Sequence, residues 1–170
     1  ARERQDGGVI RPAYPRRGFR IANGTRRPTI CIRPGLPNKA ASGFFSNILR
    51  EPLAGKDAIL PVSEDVRHWH ATPRSAVGFL LHAGTMHLAK VGPRRNLTMP
   101  GFSATVGEQI AALRRVAGDK VAARIKHQPD PFIVGIVGGW PRNFEAKRAR
   151  ELGFTTEEDK GVYDLMECPP

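Results

Sequence analysis

Between Pro28 and Gly153, short apolar runs and amphipathic stretches follow one another, each stopped by a proline, a glycine or a helix cap. No apolar run approaches the length a bilayer needs, so these pieces are expected to bury one another rather than meet a membrane. Pro28 to Arg33 is short and β-branched and closes on Pro34-Gly35, which predicts a buried strand leading into a loop. Ala40 to Arg50 carries Phe44, Phe45, Ile48 and Leu49 at helical spacing, with Pro52 as its stop. Ile59 to Val62 reads as a second short strand. Thr72-Pro73 supplies an N-cap and a first-turn proline to a helix whose apolar face is Ala76, Phe79, Leu80 and Ala83. Arg95 to Met99 is a strand stopped by Pro100-Gly101. Thr105-x-x-Glu108 is a capping box; Val106, Ile110, Leu113 and Ala117 form the stripe behind it, and Gly118 fits its end. Val121 to Ile125 reads as a short continuation. Asn143 is expected to cap a last helix, Phe144 to Leu152, closed by Gly153.

Strands and helices therefore mix without a regular βαβ alternation, which points to the α/β class. At 170 residues the chain is long enough for one domain with a real core. Its net charge of +11 raises the question of nucleic acid. The charge is uneven, however. Residues 1–30 hold eight arginines against Glu3 and Asp6, whereas residues 151–170 hold Lys160 against six acidic residues. The excess thus belongs partly to a basic arm poor in apolar residues. Zinc-finger spacing, an aromatic RNA-binding signature and a heptad-bearing basic helix are all missing. A solvated arm is favoured over a nucleic-acid partner. Cys31 sits in an apolar run, where a buried thiol outside any disulfide is expected; with Cys168 as the other cysteine there is no disulfide framework. The expected location is the cytoplasm.

Several segments invite chemistry. Phe132 to Val137 followed by Gly138-Gly139 looks like a dinucleotide loop, but Trp140-Pro141 follows where a helix should open, and the third glycine is missing. His68-x-His70 places two imidazoles on one strand face, a start for a metal site that finds no nearby third ligand. Structural histidines are favoured and no metal is expected. Phe44, Phe45, Trp69 and Trp140 read as core. Tyr14 and Tyr163 are the only tyrosines, and neither has a lysine four residues on.

The segments come in a fixed order: PTICIRPG, GFFSNILREPLAG, LPV, VRHWHATPRSAV, RRNLTMPGFSATVGEQIAAL and GWPRNFEAKRARELGF. This order resembles the C-terminal part of the extended short-chain dehydrogenase/reductases, the NAD-dependent epimerase/dehydratase superfamily, and within it the sugar-acid dehydrogenases. The resemblance implies a C-terminal substrate-binding lobe over residues 26–154, joined to the last strands of a Rossmann-type parallel sheet, with the N-terminal dinucleotide-binding half absent. RRGF (Arg16 to Phe19) resembles the end of the family's catalytic helix. Otherwise residues 1–25 are expected to form a poorly structured basic arm, and residues 155–170 an irregular acidic tail.

The resemblance also implies NAD as cofactor, a small-molecule sugar acid as ligand, and a homo-oligomer as one possible assembly. Pro28 and Thr29 match positions beside the nicotinamide. Ser42, Asn47 and Arg67 match substrate-side positions, and Arg67 aligns with an arginine that meets an anionic group in nucleotide-sugar relatives. A guanidinium suits a carboxylate; the alternative is that Arg67 is a solvated strand-end charge. Arg27 stands where an apolar residue is usual, in what should be a buried strand. The family's tyrosine–lysine pair and dinucleotide loop have no counterpart here, so no residue is assigned a catalytic role. The expectation is a fragment of an NAD-dependent sugar-acid dehydrogenase, inactive alone. A basic nucleic-acid-binding module and a structural remnant without activity are its alternatives.

Overall fold

The computed structural model describes residues 24–32, 40–94 and 96–156. The extended chain from Gly24 to Cys31 organises it, passing from one strand partner to the next. Its first part, β1 (Gly24–Arg26), runs parallel to a later strand, β5 (Asn96–Thr98), and the ladder continues where Met99 N–H donates to Arg26 O at 2.9 Å. Its second part, β2 (Thr29–Ile30), runs parallel to β4 (Arg67–Ala71), with Cys31 N–H donating to Ala71 O at 3.1 Å. Of the strand expected over Pro28 to Arg33 only Thr29–Ile30 is assigned, and a further strand, β1, precedes it, beginning inside the segment expected to be an arm. Pro28 marks the break because it has no N–H for a ladder. Arg27 lies exposed at that break, so no charge is buried.

β4 also pairs antiparallel with β6 (Phe102–Thr105), and β3 (Ala58–Leu60) pairs parallel with β7 (Ile125–His127). Side chains alternate across β2 and β4, which separates two cores. Cys31 lies with Phe45, Ile48 and Leu49 of α1 (Phe44–Leu53) and with Val106, Ile110 and Leu113 of α3 (Val106–Ala117). Ala71 lies with Leu97, Phe154 and Phe79 of α2 (Pro73–Thr85).

The local signals set the helix starts. Thr72 Oγ1 accepts from Ser75 N at the head of α2, and both halves of the Thr105–Glu108 capping box form at the head of α3. Gly118 ends α3 with φ at +85°, a conformation that favours glycine. Other expectations need correction. α1 continues through Pro52, because a proline in the last turn forfeits one helical bond while Ala54 N–H still reaches Arg50 O. Leu80 is exposed with Val77 and Leu81; the inward face of α2 is Ser75 and Phe79, flanked by Ala83 and Met86. After Gly118 the helical turn α4 spans only Asp119–Ala122, and Ile125 opens β7. The apolar segment before Gly138-Gly139 is a helix, α5 (Pro131–Gly138), capped by Asp130, so the strand a dinucleotide loop would need is absent there. The last helix, α6 (Lys147–Glu151), has no side-chain cap, and Asn143 lies well before it.

The close approach of β2, β4 and β6 depends on Gly101. A Cβ there would stand 2.4 Å from the His70 carbonyl oxygen and 2.9 Å from Pro28 Cγ. Backbone cannot yield as a side-chain tip does, so Gly101→Ala is expected to cost about 2 kcal/mol of folding stability, measured by urea unfolding. Stability equal to that of the parent would show that the strands have room to part.

Candidate functional site

β2 and β4 bring Thr29 and the two histidines together. Thr29 pairs with His70 in the parallel register, and its hydroxyl lies 2.7 Å from His68 Nε2. As the spacing predicts, His68 and His70 share a face, with ring centroids 5.3 Å apart. Both are buried, stacked or edge-on to Phe45 at 5.0 Å, and Trp140 covers His68 at 5.3 Å. Burial lowers the pKa of His68 to about 4, opposed in part by the Pro141 carbonyl. Burial, and then the neighbouring His68, hold His70 well below the usual histidine range. Both rings are therefore neutral in the physiological range.

His70 belongs to a buried polar chain. Its Nδ1 is 3.0 Å from the Cys31 thiol, and its Nε2 is 3.2 Å from Gln109 Nε2. With the Gln109 amide nitrogen donating to the ring, Nε2 is the acceptor and Nδ1–H donates to sulfur. Cys31 is thus a buried thiol outside any disulfide, as expected. Among the described residues no group of three or more histidine, cysteine or acidic side chains converges as a metal site.

The other residues singled out from the sequence are dispersed. Pro28 is buried against Gly101. Ser42 lies in the 3-10 turn Ala41–Gly43 that leads into α1. Asn47 Oδ1 accepts from Arg50 Nη2 at 2.8 Å, so its side chain is engaged within its own helix. Arg67 falls on the face of β4 opposite His68 and His70. It donates to Ser103 O at 3.1 Å and meets Glu108 at 3.4 Å, with its side chain 40% exposed. Among the described residues Thr29, Ser42, Asn47 and Arg67 share no hydrogen bond with one another. Reading the sequence missed the Thr29–His68 contact and the Cys31–His70–Gln109 chain; the only signal was the i, i+2 histidine spacing.

Parallel strand pairs with helices packed on them make an α/β fold, and the solved structures it superposes on are Rossmann-type; the chain is similar to proteins of the short-chain dehydrogenase/reductase and NAD-dependent epimerase family. It is 41% identical to the D-erythronate dehydrogenase of Haemophilus influenzae over 146 residues, 86% of this chain and 46% of that protein. To the D-erythronate dehydrogenase of Cupriavidus necator it is 42% identical over 163 residues, 95% of this chain and 50% of the relative. At that coverage the similarity reaches into both terminal segments. The crystal structure of the nucleoside-diphosphate-sugar epimerase from Agrobacterium tumefaciens superposes with a TM-score of 0.86 at 60% identity, over 94% of this chain and 46% of that one. The chain spans about half the length of the curated relatives it matches. No protein-family model matches it. Among the described residues no helix is long and apolar enough to cross a membrane.

Proposed function

We infer that this chain supplies the substrate lobe of a cytoplasmic, NAD-dependent sugar-acid dehydrogenase acting on D-erythronate or a related aldonate. The observation that carries this reading is the identity of 41–42% to two D-erythronate dehydrogenases over 86–95% of the chain. The fit to NAD is partial. Thr29 offers a hydroxyl held by His68, and Pro28 packs beside it, which suits one edge of a nicotinamide. No glycine turn for the pyrophosphate is formed among the described residues. When bound, NAD supplies the hydride acceptor. The residues of this chain would orient the ring and exclude water: Phe45 and Trp140 keep His68 dry, and dry neutral His68 fixes the rotamer of Thr29. Neither tyrosine has a lysine four residues later, so deprotonation of the substrate hydroxyl falls to groups outside these 170 residues.

Arg67 remains the choice for the acid's carboxylate. Its present partner Glu108 is half-exposed and distant at 3.4 Å, and such a surface pair contributes little, so exchanging it for a ligand carboxylate costs little.

The purified chain is expected to form no NADH from NAD and D-erythronate. Fused to the half of the Cupriavidus necator enzyme that the match leaves uncovered, it should turn over. Activity of the chain alone that a substitution in it abolishes would overturn the silent-lobe reading. A fusion that binds NAD but ignores aldonates would overturn the substrate assignment. Within an active fusion, Arg67→Ala should weaken aldonate binding by about ten- to a hundredfold with NAD affinity unchanged, and lysine should restore only part of it. Unchanged aldonate affinity would return Arg67 to the role of a solvated strand-end charge.

A further inference from the structure

α2 packs against β5 and the end of β2 through Phe79, which lies with Leu97, Met99 and Ile30, yet its apolar surface does not end with that contact. Ala76 and Ala83 lead round one flank of the helix to Val77, Leu80 and Leu81, which are 53–66% exposed. The i, i+3, i+4 spacing puts these three on one seam, with Gly84 a turn further on. Such a seam is what one helix offers another. The opposite flank differs. It carries Arg74, His82 and Thr85, and it is the side already occupied: His82 Nε2 lies 2.8 Å from Leu152 O, and the Ser75 hydroxyl 3.0 Å from Thr156 Oγ1. That neighbouring segment stands on the β5 side of the pair, where Arg148 Nη1 donates to Asn96 O at 3.5 Å. The apolar flank of α2 is therefore turned toward β1.

β1 has an open side as well. Among the described residues its only strand partner is β5, in a parallel pair whose connection enters β5 from α2. Parallel strands are seldom left as a pair, because crossover helices cover both faces of such sheets. Crossovers are right-handed. A further parallel strand on the far edge of β1, joined to β1 by a helix, would thus lay that helix on the same face as α2 and beside it. Val77, Leu80 and Leu81 lie exposed at that place. In the curated relatives the chain matches, about as much polypeptide again lies outside the match. A second copy of this chain fits less well, since a two-fold axis would set its β1 antiparallel to the first. We propose that the far edge of β1 and the apolar flank of α2 form one docking surface. Its occupant is a parallel strand and an amphipathic helix from the half of those relatives that this chain does not cover. The surface rests on strand pairing and helix packing, not on chemistry, so it stands whether or not the substrate is an aldonate.

The full chain is mixed with the half of the Cupriavidus necator enzyme that the match leaves uncovered, produced separately on a solubilising carrier, with the carrier alone as control. Sedimentation should show a one-to-one complex. Leu80→Glu and Val77→Glu should each weaken it at least tenfold. Val116→Glu should leave it unchanged, because Val116 is exposed on α3, whose packing face belongs to the other core. All three side chains are exposed, so the melting temperature of the chain alone should hold; if that of Leu80→Glu falls, Leu80→Ala carries the same expectation. In the single-chain fusion Leu80→Glu should lower the melting temperature, since the seam is covered there, and an unchanged value would count against the surface. None of these readouts is NADH formation, so a failed substrate assignment leaves them intact. No complex, or a complex that both flank variants leave as tight as before, would overturn the proposal. Self-association of the chain in place of that complex, abolished by Leu80→Glu, would also overturn it and give the flank to a second copy.

Discussion

Acidification from pH 6.5 to about pH 4 is expected to remove about 3 kcal/mol of folding stability through His68 alone. Its pKa is lowered from 6.5 to about 4 because the ring is desolvated between Phe45 and Trp140, and each tenfold loss of proton affinity is worth about 1.4 kcal/mol. The unfolded chain takes up the proton first, so stability rises with pH across this window. The contribution is whole above pH 6.5, is lost progressively as pH falls, and has gone by about pH 4. His70, lowered for the same reason, adds a loss of the same sign. Glu108 acts lower: its carboxyl is held below 4.5, chiefly by the Thr105 N–H, so its contribution is present above 4.5 and is lost below it. Urea unfolding at a series of pH values above the carboxylate range isolates the histidines. His68→Gln should flatten that dependence. A parent chain whose stability is level between pH 6.5 and 5 would show that the imidazoles are hydrated, and the dry Thr29–His68 contact would fall with them.

Phe45→Ala is expected to cost about 4 kcal/mol, within the range for emptying a buried aromatic site. Phe45 is fully buried, lies flat on His68 with an interplanar angle of 8°, and touches Phe44 with ring centroids 4.1 Å apart. Few groups collapse into such a hole, because strands fix one wall and α1 the other. Against the 5–15 kcal/mol typical of a domain, this is a large fraction. The second effect is electrostatic. Water entering the space rehydrates His68, its pKa moves back toward 6.5, and the acid sensitivity described above shrinks. Phe45→Leu refills most of the volume and should cost clearly less. Loss of stability in Phe45→Ala with the pH dependence intact would mean that Trp140, not Phe45, keeps the histidine dry.

Most of the local architecture is legible in the chain. Thr72 and Thr105 cap their helices through bonds that close within three residues, so sequence spacing and geometry are nearly the same thing. The stripe Val106, Ile110 and Leu113 is buried because helical periodicity alone puts those residues on one side. Sequence and structure part where two readings of one pattern differ only in tertiary neighbours. Leu80 shares a helical face with Phe79 as plausibly as Met86 does, and only the position of β5 and Phe154 makes Met86 the inner one. Arg27 looks misplaced in a strand until the chain changes partners at Pro28.

The candidate site is less legible for the same reason. The sequence by itself determined an α/β chain with capped helices, two histidines on one strand face, a buried thiol and a resemblance to dehydrogenases whose tyrosine–lysine pair it does not carry. Only the tertiary structure decided that Thr29 meets His68 and Cys31 meets His70, each pair 39 residues apart. It likewise decided that Arg67 faces away from them. Such contacts are set by the parallel pairing of β2 with β4 and by the alternation along β4. A shift of register by one residue would exchange the two faces and undo all of them at once.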